Sequence, residues 1–206
     1  MDELTLQMND LLNKIRYCEV CKKDLPFGPR PIIQLSSFSK VVIIGQAPGR
    51  RVHETGIPWN DASGRKLREW MKVDEAAFYD PECFSIMPMG FCYPGKGISG
   101  DLPPRPECAP LWHPQVFRYF KHKPLILLIG RYAQQHYLAN RFTGSLTETI
   151  RNFKQFMPEY FPLPHPSPRN QNWIKVNPWF QEDVVPELQK SIEEAVYKKK
   201  GNETKK

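Results

Sequence analysis

Two short apolar runs constrain this chain most. Val41–Ile44 reads Val-Val-Ile-Ile, Leu125–Ile129 reads Leu-Ile-Leu-Leu-Ile, and each is closed by a glycine, Gly45 or Gly130. Apolar runs of this length, with no polar alternation, are the pattern of strands buried on both faces, as in a parallel sheet. Helical spacing surrounds them. Leu4, Leu11, Leu12 and Ile15 predict a helix over 4–15, and Leu67, Trp70 and Met71 predict one over 63–71. Further helices are expected over 131–138, 146–156 and 178–196, the last with Val184, Val185, Leu188, Ile192 and Val196 on one face. Weaker strands are expected over 84–87 and 160–163. Strands alternating with helices imply an α/β fold, a three-layer αβα sandwich around a central, mainly parallel sheet of four strands. Neither a repeat nor a second domain is visible, so residues 1–197 read as one domain and 198–206 as a basic tail expected to be disordered.

Composition narrows the function classes. With 206 residues, 40% hydrophobic and 25% charged, the chain can bury a full core, which excludes wholesale disorder. No apolar run approaches the roughly 20 residues of a spanning helix. Asp2, Glu3 and Asp10 at the start leave no room for a secretory signal, so a cytoplasmic location is expected. The formal charge of +7 suggests an acidic partner, yet the tail from Lys198 holds five lysines and one glutamate and leaves only +3 for the body. Proline is the stronger signal: of 21 prolines, eight lie in 88–124 and seven in 158–186.

In open α/β sheets, ligands bind where loops leave the carboxyl ends of the strands. The loop after Ile44 reads Gly45-Gln46-Ala47-Pro48-Gly49, then Thr55-Gly56-Ile57-Pro58-Trp59, then Asp61, Ser63 and Gly64. Glycine lets backbone approach a ligand, and Trp59 offers a flat face for stacking. The plainer reading is a βα turn with Asp61 or Ser63 as helix cap. The second such loop reads Leu163-Pro164-His165-Pro166-Ser167-Pro168, where prolines hold a histidine rigidly. Four of the five cysteines fall as Cys18-x2-Cys21 and Cys92-x15-Cys108. In a cytosolic protein such pairs suggest a metal or cluster site, with zinc, an iron-sulfur cluster or unligated thiols all open. Cys83 is left over and is assigned to packing.

Residues 45–64 resemble the first motif of the uracil-DNA glycosylase superfamily, above all its iron-sulfur branch, and His165-Pro166-Ser167-Pro168 resembles the second. The resemblance implies that Trp59 stacks on an extruded base and that Gln46 occupies the place of the acidic residue that handles the attacking water. It implies that Gly45, Ala47, Pro48, Gly49, Met87 and Pro88 surround the base, and that His165 stabilises the departing ring. Lys96, Arg105, Pro166, Ser167, Arg169 and Asn170 are then expected on DNA. The cysteine order is similar to that branch too, which implies a 4Fe-4S cluster on Cys18, Cys21, Cys92 and Cys108, with zinc or no group as alternatives.

Two positions depart from the pattern. Gln46 is a neutral amide, which orients water but takes no proton. Pro88 stands where relatives carry an asparagine that reads the pyrimidine edge. One branch of the superfamily carries an Asp in the region of Asp61 that is proposed to activate water, and the resemblance to it implies that Asp61, not Gln46, is the ionised group. The expected reaction is hydrolysis of the N-glycosidic bond of a uracil or other deaminated or damaged base flipped out of DNA, by a monomer acting in base excision repair. The rival is a non-catalytic protein that binds DNA lesions or single strands on the same fold.

Overall fold

A computed structural model describes residues 2–98, 100–142 and 144–198. Helix α1, Glu3–Arg16, starts at Asp2, whose carboxylate accepts from Thr5 N at 3.1 Å. The chain then passes Cys18 and Cys21 and a 3-10 turn at Lys22–Asp24 before entering strand β1, Val41–Ile44. Helices α2 (Arg50–Thr55), α3 (Ala62–Met71) and α4 (Glu75–Phe78) lead to β2, Phe84–Ile86. Next come α5 (Cys108–Phe117), β3 (Leu125–Ile129), α6 (Arg131–Leu138), α7 (Leu146–Arg151) and β4 (Tyr160–Leu163). The described chain closes with α8 (Gln171–Val176) and α9 (Val185–Ile192).

The four strands form one all-parallel sheet in the order β2-β1-β3-β4. Val41 pairs with both Phe84 and Leu125, and Ile129 with Leu163, so the strand ends align along one edge. The unbroken apolar runs now have their reason. Val41 and Ile43 enter one core with Leu67, Trp70, Ile150, Phe180 and Leu188, while Val42 and Ile44 enter the other with Met8, Ile15, Val116 and Leu138. Side chains alternate across a strand, so a strand covered by helices on both faces must be apolar at every position. The α/β three-layer expectation thus holds, with a sheet that is parallel throughout.

Several boundaries differ from expectation for local reasons. The helix expected over 146–156 stops at Arg151, and a 3-10 turn at Phe153–Phe156 follows. That turn sends Phe153 into one core and Phe156 into the other. The helix expected over 178–196 is built of a widened π turn at Phe180–Val184, α9, and a second widened turn at Glu193–Tyr197. Pro186 sits at the start of α9 and offers no backbone donor, which the preceding wide turn accommodates. Pro162 lies in β4, an edge strand, where a sheet tolerates proline. Apart from Lys198, the tail expected over 198–206 lies outside the described residues. No helix among the described residues is long and apolar enough to cross a membrane.

Candidate active site

The aligned ends of the strands open into a cleft of about 450 Å³. Its first wall is the backbone of 45–49, anchored because Met89 N donates to Gly45 O and Gly90 N to Gln46 O, both at 2.9 Å. The indole of Trp59 lies directly on Gly45. A Cβ there would come within 2.8 Å of Trp59 Cζ2, so only glycine fits. Trp59 itself has φ +57°, a left-handed conformation that is costly for a bulky residue. The surroundings fix it: Tyr79 Oη donates to Pro58 O at 2.9 Å, and α3 packs so closely that a Cβ on Gly64 would stand 1.7 Å from Trp59 O. The glycines at 45 and 64 are therefore the two faces of a clamp on residue 59.

Asp61 begins α3, its Oδ1 accepting from Gly64 N at 2.8 Å, while the side chain also lines the cleft. The cap reading and the cleft reading describe the same residue. His165 leaves β4 opposite, its ring centroid 5.7 Å from that of Trp59 and tilted by 31°. Asn170 Nδ2 donates to His165 O at 2.7 Å and fixes the loop. Burial pushes the His165 imidazole below its ordinary range, with Asp61 and Asp101 pulling in the other direction. At neutral pH the ring is thus an uncharged donor.

Gly45, Gln46, Ala47, Pro48, Gly49, Trp59, Asp61, Pro88, Lys96, His165, Ser167 and Arg169 all line this cleft. Four residues singled out from the sequence do not. Met87 is fully buried among Ile44, Leu128 and Met89, because its side chain points into the helical layer. Pro166 is buried and borders a separate shallow depression beside α3. Asn170 serves the His165 backbone. Arg105 is held elsewhere by two carboxylates, Glu107 at 2.6 Å and Asp24 at 3.1 Å.

Pro88 brings in a residue that sequence reasoning missed. Its carbonyl accepts from His113 Nε2 at 3.2 Å, which leaves Nδ1 to accept from Tyr137 Oη at 2.5 Å. A carbonyl can only accept, so the proton sits on Nε2 of a neutral ring. Burial holds His113 down to about 3 and pushes the Tyr137 phenol up. The Pro88 carbonyl is consequently spent inside the fold, and this wall offers the cleft a proline ring.

Sequence reasoning also missed Asp101. Residues 95–97 and 100–102 pair as the two arms of a hairpin, in which Leu102 N donates to Gly95 O at 2.9 Å and Lys96 bridges Asp101. Leu102 O accepts from Gln46 Nε2 at 3.3 Å, hooking the hairpin onto the β1 loop. Arg169 meets it from the other side: a Cβ on Gly100 would stand 2.7 Å from the guanidinium. The motifs after β1 and β4 and this hairpin thus converge on one opening.

The sequence model of the uracil DNA glycosylase superfamily matches residues 34–189. The chain belongs to that superfamily. Its matched region spans both cleft loops, Cys92 and Cys108, whereas Cys18 and Cys21 precede it. Superfamily enzymes act on DNA, and membership makes this chain glycosylase-like at that level.

The hairpin's feet lead to the cysteines. Cys18, Cys21, Cys92 and Cys108 line one small cavity with Leu25, Phe91, Arg105 and Trp112. No disulfide joins them. Burial pushes the Cys21 and Cys92 thiols up to about 11, and the Cys108 thiol upward as well. Among the described residues, no three His, Cys, Asp or Glu side chains are gathered to hold a single metal ion. Cys83 lies apart, its thiol 3.4 Å from Asp80 Oδ2, packed against the other core.

Proposed function

We propose that the protein is a DNA glycosylase of base excision repair, hydrolysing the N-glycosidic bond of a uracil or other deaminated or damaged base flipped into the cleft. The observation that carries this reading is Trp59 and His165 standing together, ring centroids 5.7 Å apart, in the lining of a 450 Å³ opening that the 45–49 backbone also walls. An opening of that size suits one base and its sugar. Unstacking a nucleotide costs a few kcal/mol, which stacking on Trp59 and hydrogen bonds to the base offset. As the bond breaks, negative charge grows on the base and the neutral His165 ring donates to it. A preorganised donor of this kind is worth about 10²–10³ in rate.

Gln46 and Asp61 complete the polar lining. The Gln46 amide is oriented by its bond to Leu102 O, and its Oε1 makes no hydrogen bond among the described residues, so it can accept from water. Asp61 places negative charge facing His165 and the oxocarbenium-like sugar. Because Pro88 presents neither an amide side chain nor a free carbonyl, strict reading of a pyrimidine edge has little support. Damaged bases recognised by shape and stacking fit better. Lys96, Ser167 and Arg169 at the rim suit phosphates.

The four cysteines support a 4Fe-4S cluster. The donor set is four thiols lining one cavity, and four thiolates are the ligands of a 4Fe-4S cluster, as they also are of zinc. Cys18, Cys21, Cys92 and Cys108 would hold it, and its role would be to tie the hairpin's feet to the turn after α1. A broad visible absorption band in anaerobically purified protein tests this directly.

The activity is tested with oligonucleotides carrying uracil, hypoxanthine and other deaminated bases. Abasic sites should accumulate under single-turnover conditions. Tight binding with no release favours the non-catalytic lesion binder, which Gln46 and Pro88 also fit. The expected state is a monomer in the cytoplasm.

A further inference from the structure

The geometry points to Asp101 as a catalytic residue, the carboxylate that takes the proton from the attacking water. This rests on the glycosylase reading and adds to it the group that Gln46 cannot supply. Hydrolysis joins a water oxygen to C1′ while the N-glycosidic electron pair leaves with the base. One water proton must therefore be accepted nearby, and an amide does not accept it.

Asp101 lines the cleft directly over the β1 loop: a Cβ on Gly49 would stand 3.4 Å from its Oδ2. It is next in sequence to Leu102, whose carbonyl holds the Gln46 amide at 3.3 Å, so carboxylate and amide are brought to the same side of the opening. Its other oxygen is occupied. Tyr93 Oη donates to Oδ1 at 3.3 Å, and Tyr93 is buried against Phe27 and His53 at ring distances of 5.7 and 5.9 Å. Oδ2 makes no hydrogen bond among the described residues. One oxygen is thus fixed by a rigid donor and the other presented to the cleft. Asp61 differs: its Oδ1 is committed to the start of α3, beside Trp59 rather than beside Gln46.

In the step assigned here, Asp101 Oδ2 accepts a proton as water attacks C1′, the C1′–N bond breaks, and the base leaves as an anion held by His165. Tyr93 is a positioning residue, its hydroxyl donating to Asp101 Oδ1. The charged and titratable groups around Asp101 are Lys96 across the hairpin, Arg169 on Gly100, Tyr93 with Arg50 and Glu54 behind it, and His165 with Asp61 across the cleft.

The test is single-turnover base release against pH for the wild type, Asp101→Asn and Tyr93→Phe, with affinity for an uncleavable 2′-fluoro substrate measured alongside. Asp101→Asn should be slowed by about 10²–10⁴-fold. It should bind within threefold of wild type and lose the rise in rate with pH on the acid side. Tyr93→Phe should lose about tenfold in rate with binding intact, and it decides the matter if Asp101→Asn also loses binding. A rate for Asp101→Asn within threefold of wild type, a retained acid-side rise, or an unchanged Tyr93→Phe rate would overturn the assignment while leaving the glycosylase reading in place. No release by the wild type from any substrate overturns both.

Discussion

The strand-end cleft and the cysteine cavity are joined by one segment, yet they are opposite environments. The cleft is open and mixed, with Gln46, Lys96, Asp61 and Asp101 beside Ile32, Pro58 and Trp59. The cysteine cavity is small and largely apolar, and burial raises its thiols. Residues 93–98 and 100–107 span them, with Asp101 and Lys96 at the cleft and Cys92, Arg105 and Cys108 at the feet. The difference separates chemistry from anchorage. Charged groups that face solvent can turn over a substrate, whereas the buried thiols and the Arg105–Glu107–Asp24 network hold a hairpin in place.

Breaking the cleft should have the largest effect. His165→Ala removes the donor aimed at the departing base and should lower single-turnover release by about 10³-fold. Thermal stability should barely change, since the ring is not part of a core. Gly64→Ala attacks the same site through packing. A methyl 1.7 Å from Trp59 O forces α3 and residue 59 apart, so unfolding free energy should fall by about 3 kcal/mol in urea titration, together with activity.

His113 separates the two regions by pH. Its folded-state value of about 3 lies below the ordinary 6.5, so the unfolded chain binds the extra proton between those values. The stability it gives is therefore complete above about pH 6.5 and lost as pH falls toward 3. A shift of that size is worth on the order of 3–5 kcal/mol by linkage. His113→Gln should flatten the acid limb of the urea midpoint against pH. The same limb in wild type would sharpen the contrast with the cleft, where activity rather than stability should follow pH.

The smallest effect distinguishes two arginines. Arg169→Gln at the rim should reduce the salt dependence of DNA binding by about one ion. Arg105→Gln, which lies in the anchoring network, should leave the slope unchanged and lower thermal stability instead.

The sheet was legible because β1 and β3 are apolar at every position, and burial on both faces leaves no other reading. The two cleft loops were legible as short motifs, the first with glycines that meet Trp59 and the second with prolines about His165. Helix α5 was not, because Pro110 and Pro114 within Cys108–Phe117 look like loop punctuation. Pro110 falls in the first turn, where a missing donor costs nothing, and Pro114 is carried by packing of Cys108, Ala109 and Val116 on the core. The prolines clustered in 88–124 and 158–186 are thus partly spent in α5, β4 and α9. His113 was silent for the same reason, a lone histidine in that helix. Asp101 was silent because Gly95, Gly97 and Gly100 allow many turns, and only the hook from Leu102 to Gln46 decides which side the carboxylate faces. The place of Arg105 outside the cleft was not legible because its partners, Asp24 and Glu107, are fixed only by the fold.

The most direct measurement is mass-spectrometric detection of free base from lesion-bearing oligonucleotides at stoichiometric enzyme, comparing wild type with His165→Ala. Release of one base per duplex by the wild type, reduced about 10³-fold in the variant, is the result expected of the cleft. Tight binding by both proteins with no base released by either would contradict it.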